Sequence, residues 1–169
     1  MIFVSVGTQL PFDRLVSSID RWCGENALGS KVFAQVGHLA SDSYRPRNCE
    51  FAERLTHAEF SERVSASKLI VSHAGMGSII AALTYEKPIL IMPRRAELGE
   101  HRNDHQRATV ERVRHRKGIF VAEDEGSLVD SLDEFAASGW AIPGGSVGEF
   151  ANADLIDTVR EFILSSKRR

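Results

Sequence analysis

The chain has little cysteine, little proline and almost no net charge. Its 169 residues include two cysteines, Cys23 and Cys49, and five prolines. Two thiols are too few for a disulfide framework and fit a reducing compartment better than secretion. Twenty-one Lys and Arg stand against 23 Asp and Glu, a formal net charge of −2. That balance excludes a global positive field for nucleic acid and an acidic excess of the kind that keeps a chain disordered. No apolar run approaches the roughly 18 residues of a membrane span. Met1-Ile2-Phe3-Val4 opens the sequence without a basic region, so it reads as a first strand rather than a signal peptide. The sequence contains no internal repeat and no low-complexity tract.

What is present is an ordinary globular mixture, 43% apolar and 26% charged. At about 100–200 residues per domain, the length predicts one domain around one core. Short apolar runs predict strands at 2–6, 31–36, 49–52, 69–72, 89–92 and 119–121. Helical spacing appears at Phe12, Leu15, Val16, Ile19 and Trp22, over 57–66, from Met76, over 104–117, and at Leu128, Leu132, Phe135 and Ala136. In the helix from Met76 the expected apolar stripe is Met76, Ile79, Ile80 and Leu83. Residues 1–138 are expected as the domain, 139–150 as a glycine-rich flexible connection, and 151–169 as an amphipathic helix ending in Lys167-Arg168-Arg169. Strands alternating with helices imply a Rossmann-like α/β fold, a parallel sheet with helices on both faces. Such sheets bind ligands at the carboxyl ends of their strands.

The sharpest motif follows the fourth strand, His73-Ala74-Gly75-Met76-Gly77-Ser78. Gly75 and Gly77 permit a tight turn and close approach to a ligand. The helix start offers free N–H groups and the positive end of a dipole, and Ser78 and His73 add donors, which together suit a phosphate. The same residues also suit a plain strand-to-helix turn capped by Ser78. No Gly-Lys-Ser/Thr and no Gly-x-Gly-x-x-Gly is present, so neither a nucleotide P-loop nor a dinucleotide fingerprint applies. Gly7-Thr8 after the first strand is a second candidate anion turn, and both turns face one edge of the sheet.

A third motif, Glu100-His101-Arg102-Asn103-Asp104-His105-Gln106, is wholly polar. Asn103 and Gln106 have capping-box spacing, and side chains of this kind also bind paired sugar hydroxyls. His101 and His105 invite a zinc site, but the helix lacks the Glu of His-Glu-x-x-His and a third ligand. Arg94 and Arg95, with Arg102, place positive charge beside the cleft, either for an anionic sugar or pyrophosphate or as a solvated basic loop. No Asp-x-Asp suggests a metal-held nucleotide, and no nucleophilic triad stands out. An acidic cluster of the response-regulator kind is absent at the first strand's end, which carries Gly7-Thr8.

At Val6-Gly7-Thr8 with Pro11-Phe12-Asp13, at Ser72-His73-Ala74-Gly75-Met76-Gly77-Ser78-Ile79, and at Gly99-Glu100-His101-Arg102-Asn103-Asp104-His105-Gln106, the chain resembles the glycosyltransferases that share the MurG C-terminal domain. Within them it resembles the small split subunits, namely the catalytic subunit of the eukaryotic dolichol-linked UDP-N-acetylglucosamine transferase and the bacterial β-glucuronosyltransferase component PssE. The resemblance implies one half of a GT-B fold, the half that binds a UDP-sugar. It implies the diphosphate at Gly7, Thr8, His73, Gly75, Met76, Gly77 and Ser78, and uracil at the backbone of Phe51 and Ala52. It assigns the donor sugar to Arg94, Glu100, His101, Asn103, Asp104, His105 and Gln106. Relatives carry a Glu for the ribose hydroxyls where this chain has Ala81. No metal or other cofactor is expected, and no general base is assigned. The expected partners are a membrane-associated acceptor-binding subunit and a lipid-linked saccharide acceptor, with no nucleic acid. The expected setting is the cytoplasmic face of the membrane and exopolysaccharide synthesis. The alternative is a non-catalytic subunit that stabilises or regulates a partner enzyme.

Overall fold

Strand β1 (Ile2–Ser5) sends alternate side chains into two separate cores. Ile2 and Val4 enter one apolar cluster and Phe3 enters the other. The same alternation recurs in β4 (Leu69–His73) and β5 (Ile89–Met92), where Leu69, Val71, Leu90 and Met92 share the first cluster and Ile70, Ile89 and Ile91 the second. Strands buried on both faces read as continuous apolar runs, which is why the sequence shows them without a polar alternation. This computed structural model describes residues 1–41 and 43–146.

The remaining strands are β2 (Val32–Gln35), β3 (Glu50–Ala52) and β6 (Ile119–Val121). All neighbours pair in parallel in the order β3-β2-β1-β4-β5-β6. This is the doubly wound order, with its switch point between β1 and β4. Helices α1 (Asp13–Glu25) and α5 (Glu125–Ala137) pack on the face of Ile2 and Val4. Helices α2 (His57–Ala66), α3 (Met76–Thr84) and α4 (His105–Val113) cover the face of Phe3. The α1–α5 pair is closed by Trp22 Nε1 donating to Asp133 at 2.7 Å.

Three local expectations need correction. Helix α4 ends at Val113 instead of running to 117, because the chain turns through Gly118, at φ +81°, into β6. On α3 the buried residues are Ser78, Ile79, Ala82 and Leu83, whereas Met76 and Ile80 are about half exposed, at 50% and 49%. The helix is therefore rotated so that Met76 stands at the rim of the cleft. The segment expected as a flexible connection is packed over its described part, 139–146. Trp140 meets Trp22 edge-to-face at 6.3 Å, Ile142 packs on the first core, and Gly144 and Gly145 lie against the backbones of Glu86 and Lys117. The helix expected over 151–169 lies outside the described residues. Among the described residues, no helix is long and apolar enough to cross a membrane.

Candidate functional site

The switch point puts the end of β1 beside the end of β4, so the turns that follow them face each other. Between them opens a cavity of about 690 Å³. Gly7, Thr8, His73, Gly75, Met76, Gly77 and Ser78 all line it, which brings the two candidate phosphate turns into one place.

His73 explains two of the glycines. A Cβ on Gly7 would lie 2.8 Å from its Cε1, and one on Gly75 would lie 2.1 Å from its Nε2. The imidazole is thus held between two residues that must lack side chains, and Gly7 also needs its φ of +80°. Gly77 has no such neighbour within 4 Å, so the chain itself does not demand glycine there. Burial, then the positive charge of Arg94, pushes His73 down to about 4, and the free ring is neutral at pH 7.

Gly75 caps α3 without any side-chain hydrogen bond, and Ser78 is a buried lining residue rather than a cap. The first-turn N–H groups of α3 therefore open onto the cavity at the positive end of the helix dipole. The floor is polar. Ser5 Oγ donates to Gln35 Oε1 at 2.7 Å, and Gln35 Nε2 donates to the Gly7 carbonyl at 3.1 Å. Gln35 thereby fixes the Gly7 turn from below.

The third expected motif divides. His101, His105 and Gln106 line the cavity, whereas Glu100, Asn103 and Asp104 do not. Glu100 is turned away. Its carboxylate accepts from Arg14 Nε at 2.7 Å and from the Arg95 backbone N–H at 2.8 Å. Asp104 accepts from Ala96 N–H, and Gln106 Oε1 accepts from Arg94 N–H, so the expected Asn103–Gln106 capping box is replaced by loop-tying bonds. His101 and His105 meet edge-to-face at 4.8 Å. No cluster of three or more metal-ligating side chains occurs among the described residues.

The arginine expectation is corrected most. Arg94 is 2% exposed. Its guanidinium donates to the carbonyls of Val6, Leu10, Pro11 and Glu100 and lies 4.6 Å from the centre of the Phe12 ring. Burial lowers it to about 10, still protonated at neutral pH. It clamps the β1–α1 turn, and its four terminal N–H donors are occupied. Arg95 donates to the Glu123 carbonyl, and neither Arg95 nor Arg102 lines the cavity. Phe51 and Ala52 lie in β3, outside the lining, and Ala81 lies outside it on α3.

One wall of the cavity held no candidate site residue. Leu55, Thr56, His57 and Phe60, at the start of α2, line it. Their sequence signal was a Thr56–Glu59 capping box, which the structure forms with both reciprocal bonds. It marks a helix start at the carboxyl edge of the sheet, where ligands bind.

Comparison with curated proteins finds no match. Among solved structures, the glycotransferase of kitacinnamycin is similar at 18% identity and a TM-score of 0.57, over 83% of this chain and 35% of that one. ALG13 is similar at 20% identity and 0.55, over 84% of this chain and 87% of that one. CalG4, the calicheamicin glycosyltransferase, is similar at 17% identity and 0.55, over 82% of this chain and 35% of that one. The chain therefore spans about a third of the kitacinnamycin and calicheamicin enzymes and most of ALG13. These likenesses carry the fold, one Rossmann-like half of a GT-B glycosyltransferase. The model of the glycosyltransferase family 28 C-terminal domain matches residues 1–139. That span takes in every strand and helix described above, and on that ground the chain belongs to the glycosyltransferase family 28 C-terminal domain family.

Proposed function

We propose that this chain is the donor-binding half of a two-component, inverting, metal-independent glycosyltransferase that transfers a sugar from UDP. The observation that supports the reading is the convergence of two glycine turns and an uncapped helix N-terminus on one cavity at the switch point. The diphosphate lies against Met76–Ser78, with Gly7 and Thr8 across from it. As the sugar–phosphate bond breaks, negative charge grows on UDP. The α3 N–H groups and helix dipole, with His73, stabilise that charge. The acceptor hydroxyl attacks the opposite face of the sugar and inverts the anomeric carbon. Among the described residues no Asp or Glu lines the cavity, whereas His57, His101 and His105 do, so the base that takes the hydroxyl proton is one of these imidazoles or a group of the partner that carries the acceptor. Ala81 offers no hydrogen bond to the ribose, and that contact falls to another group.

The family resemblance extends the proposal to a lipid-linked acceptor, a membrane-associated partner of the PssE type and exopolysaccharide synthesis. The donor is glucuronate or another sugar. Uronate recognition does not come from the terminal N–H groups of Arg94, which are occupied, so glucuronate needs a further cation. Calorimetric titration with UDP, UDP-glucuronate and UDP-N-acetylglucosamine, with and without magnesium, tests the proposal. Saturable binding of UDP that magnesium leaves unchanged is expected. No binding of any of the three overturns it. The absence of a lining carboxylate also suits a binding subunit without catalysis, and transferase assays with and without the acceptor-binding subunit separate the two.

A further inference from the structure

Four of the chain's six histidines, His57, His73, His101 and His105, line the one cavity described above. They come from α2, the end of β4, the loop before α4, and α4 itself. Among the described residues no Lys, Asp or Glu lines that cavity, and its single arginine already donates to four carbonyls. The site proposed for a diphosphate thus has one fixed cation, and its four terminal N–H groups are already engaged. Its other ionisable groups are all imidazoles.

The hydrogen bonds around His73 define which nitrogen carries its proton. Ser72 Oγ donates its one hydrogen to the Ser5 carbonyl at 2.6 Å. The 3.2 Å contact between Ser72 Oγ and His73 Nδ1 is therefore Nδ1–H donating to the hydroxyl oxygen. In the neutral ring Nε2 holds a lone pair, and that nitrogen lies against Gly75 at the mouth of α3. A lone pair there repels an anion docked on the α3 N–H groups, whereas an Nε2–H donates to it. The charged or titratable groups facing His73 from the neighbouring elements are Arg94 and His101. The turn residues Gly7 and Gly75 and the floor residue Ser5 carry no charge. Arg94 and burial hold the free ring neutral, and an anion reverses that preference by supplying opposite charge. Among the described residues, the buried His101 Nδ1 has no hydrogen-bond partner, and the His101 ring lies edge-on to His105.

We propose that anion binding in this cavity is coupled to proton uptake, with His73 Nε2 the principal acceptor, so that solution protons take the place of a metal ion or a free arginine as the counter-charge. One proton passes from buffer to Nε2 as one diphosphate docks. The inference rests on the donor-binding reading above. Because the complexed ring holds its proton to a higher pH than the free ring, affinity rises as pH falls through that interval. One proton gives at most about a tenfold rise per pH unit.

The test uses the full chain and UDP-N-acetylglucosamine. Its two phosphoryl groups do not titrate near neutrality, unlike the terminal phosphate of UDP, with a second pKa of about 6. Calorimetric titrations are run between about pH 5.5 and 8, at each pH in two buffers of unlike ionisation heat. Expected are a heat that changes with the buffer, corresponding to uptake of about one proton, and an affinity that rises on acidification. His73→Gln removes most of the uptake. In the wild type, the His73 ring carbon resonances move to imidazolium positions on binding, which needs no variant. Binding with buffer-independent heat and a flat pH profile overturns the coupling and leaves the donor reading standing. Uptake undiminished in His73→Gln, with a neutral His73 ring in the complex, overturns the assignment to His73. No binding at any pH overturns both.

Discussion

Three glycines in this site look alike in sequence and differ in what surrounds them. At Gly75 an added Cβ meets His73 Nε2 at 2.1 Å, and at Gly7 one meets the same ring at 2.8 Å with φ at +80°. Gly75→Ala must displace the imidazole, so it is expected to lower stability by about 1–3 kcal/mol and to weaken UDP binding about tenfold or more, read by denaturant unfolding and calorimetry. Gly77 meets nothing and is helical. Gly77→Ala is expected to leave stability unchanged or raise it by up to about 1 kcal/mol, the helix-propensity difference. Any loss of UDP affinity in that variant reports the ligand alone, which makes it the cleaner probe of the phosphate assignment. Arg94 is a different case, because its sequence position beside Arg95 suggested solvent or substrate. Arg94→Ala leaves four carbonyls without their donor. It is expected to cost about 3 kcal/mol in denaturant unfolding. Arg94→Lys recovers only part, since an ammonium cannot present the planar fork that reaches all four. A fully stable Arg94→Ala variant would contradict the clamp.

At the scale of elements, α1 is the organiser. Its buried Asp20, 0% exposed, accepts from the backbone N–H groups of Arg47, Asn48 and Cys49, from the Tyr44 hydroxyl and from the Asn48 amide. These bonds dock the segment that leads into β3. Burial by itself raises this carboxyl, but the backbone bonds from Arg47 and Asn48 outweigh it and hold Asp20 below its usual value. A depressed carboxyl contributes stability that is fully present above its unfolded value of about 4 and is lost as pH falls through the folded value. Asp20→Asn is therefore expected to cost about 2 kcal/mol at pH 7, and its gap from wild type closes in acid, as followed by urea unfolding at a series of pH values. At the other end of α1, Arg14 binds Glu100 and the Pro93 carbonyl, which anchors the loop carrying His101. The elements themselves were largely legible. Strands β5 and β6 and helix α2 fall where apolar runs and helical spacing place them. The rotation of α3 and the early end of α4 were not, because helical spacing names a face without saying which neighbours turn it, and the turn at Gly118 is set by β6 pairing with β5.

For the molecule as a whole, the cleft lies on one edge of a two-sided sheet and reaches both cores, through Val6 in one and Ala74 in the other, so a ligand there stabilises the domain. UDP at a hundredfold over its dissociation constant is expected to add about 2.7 kcal/mol and to raise Tm by about 5–10 °C, measured by thermal unfolding with and without nucleotide. An unchanged Tm in the presence of UDP at that level would contradict the donor-binding reading. Sequence alone determined the α/β class and the two glycine turns after the first and fourth strands, because these depend on local periodicity and on residues with a distinct backbone range. The motifs also carried the family resemblance, which the match over 1–139 supports at the level of the domain. Only the tertiary structure decided that β1 and β4 are neighbours, which turns two separate motifs into one cavity. It likewise decided that Arg94 holds a turn, that Glu100 faces Arg14, and that His57 lines the same cavity as His101 and His105. Such pairings join residues tens of positions apart, and no local pattern specifies which buried donor will meet which carbonyl. That choice is made when the sheet closes and every buried polar group must find a partner.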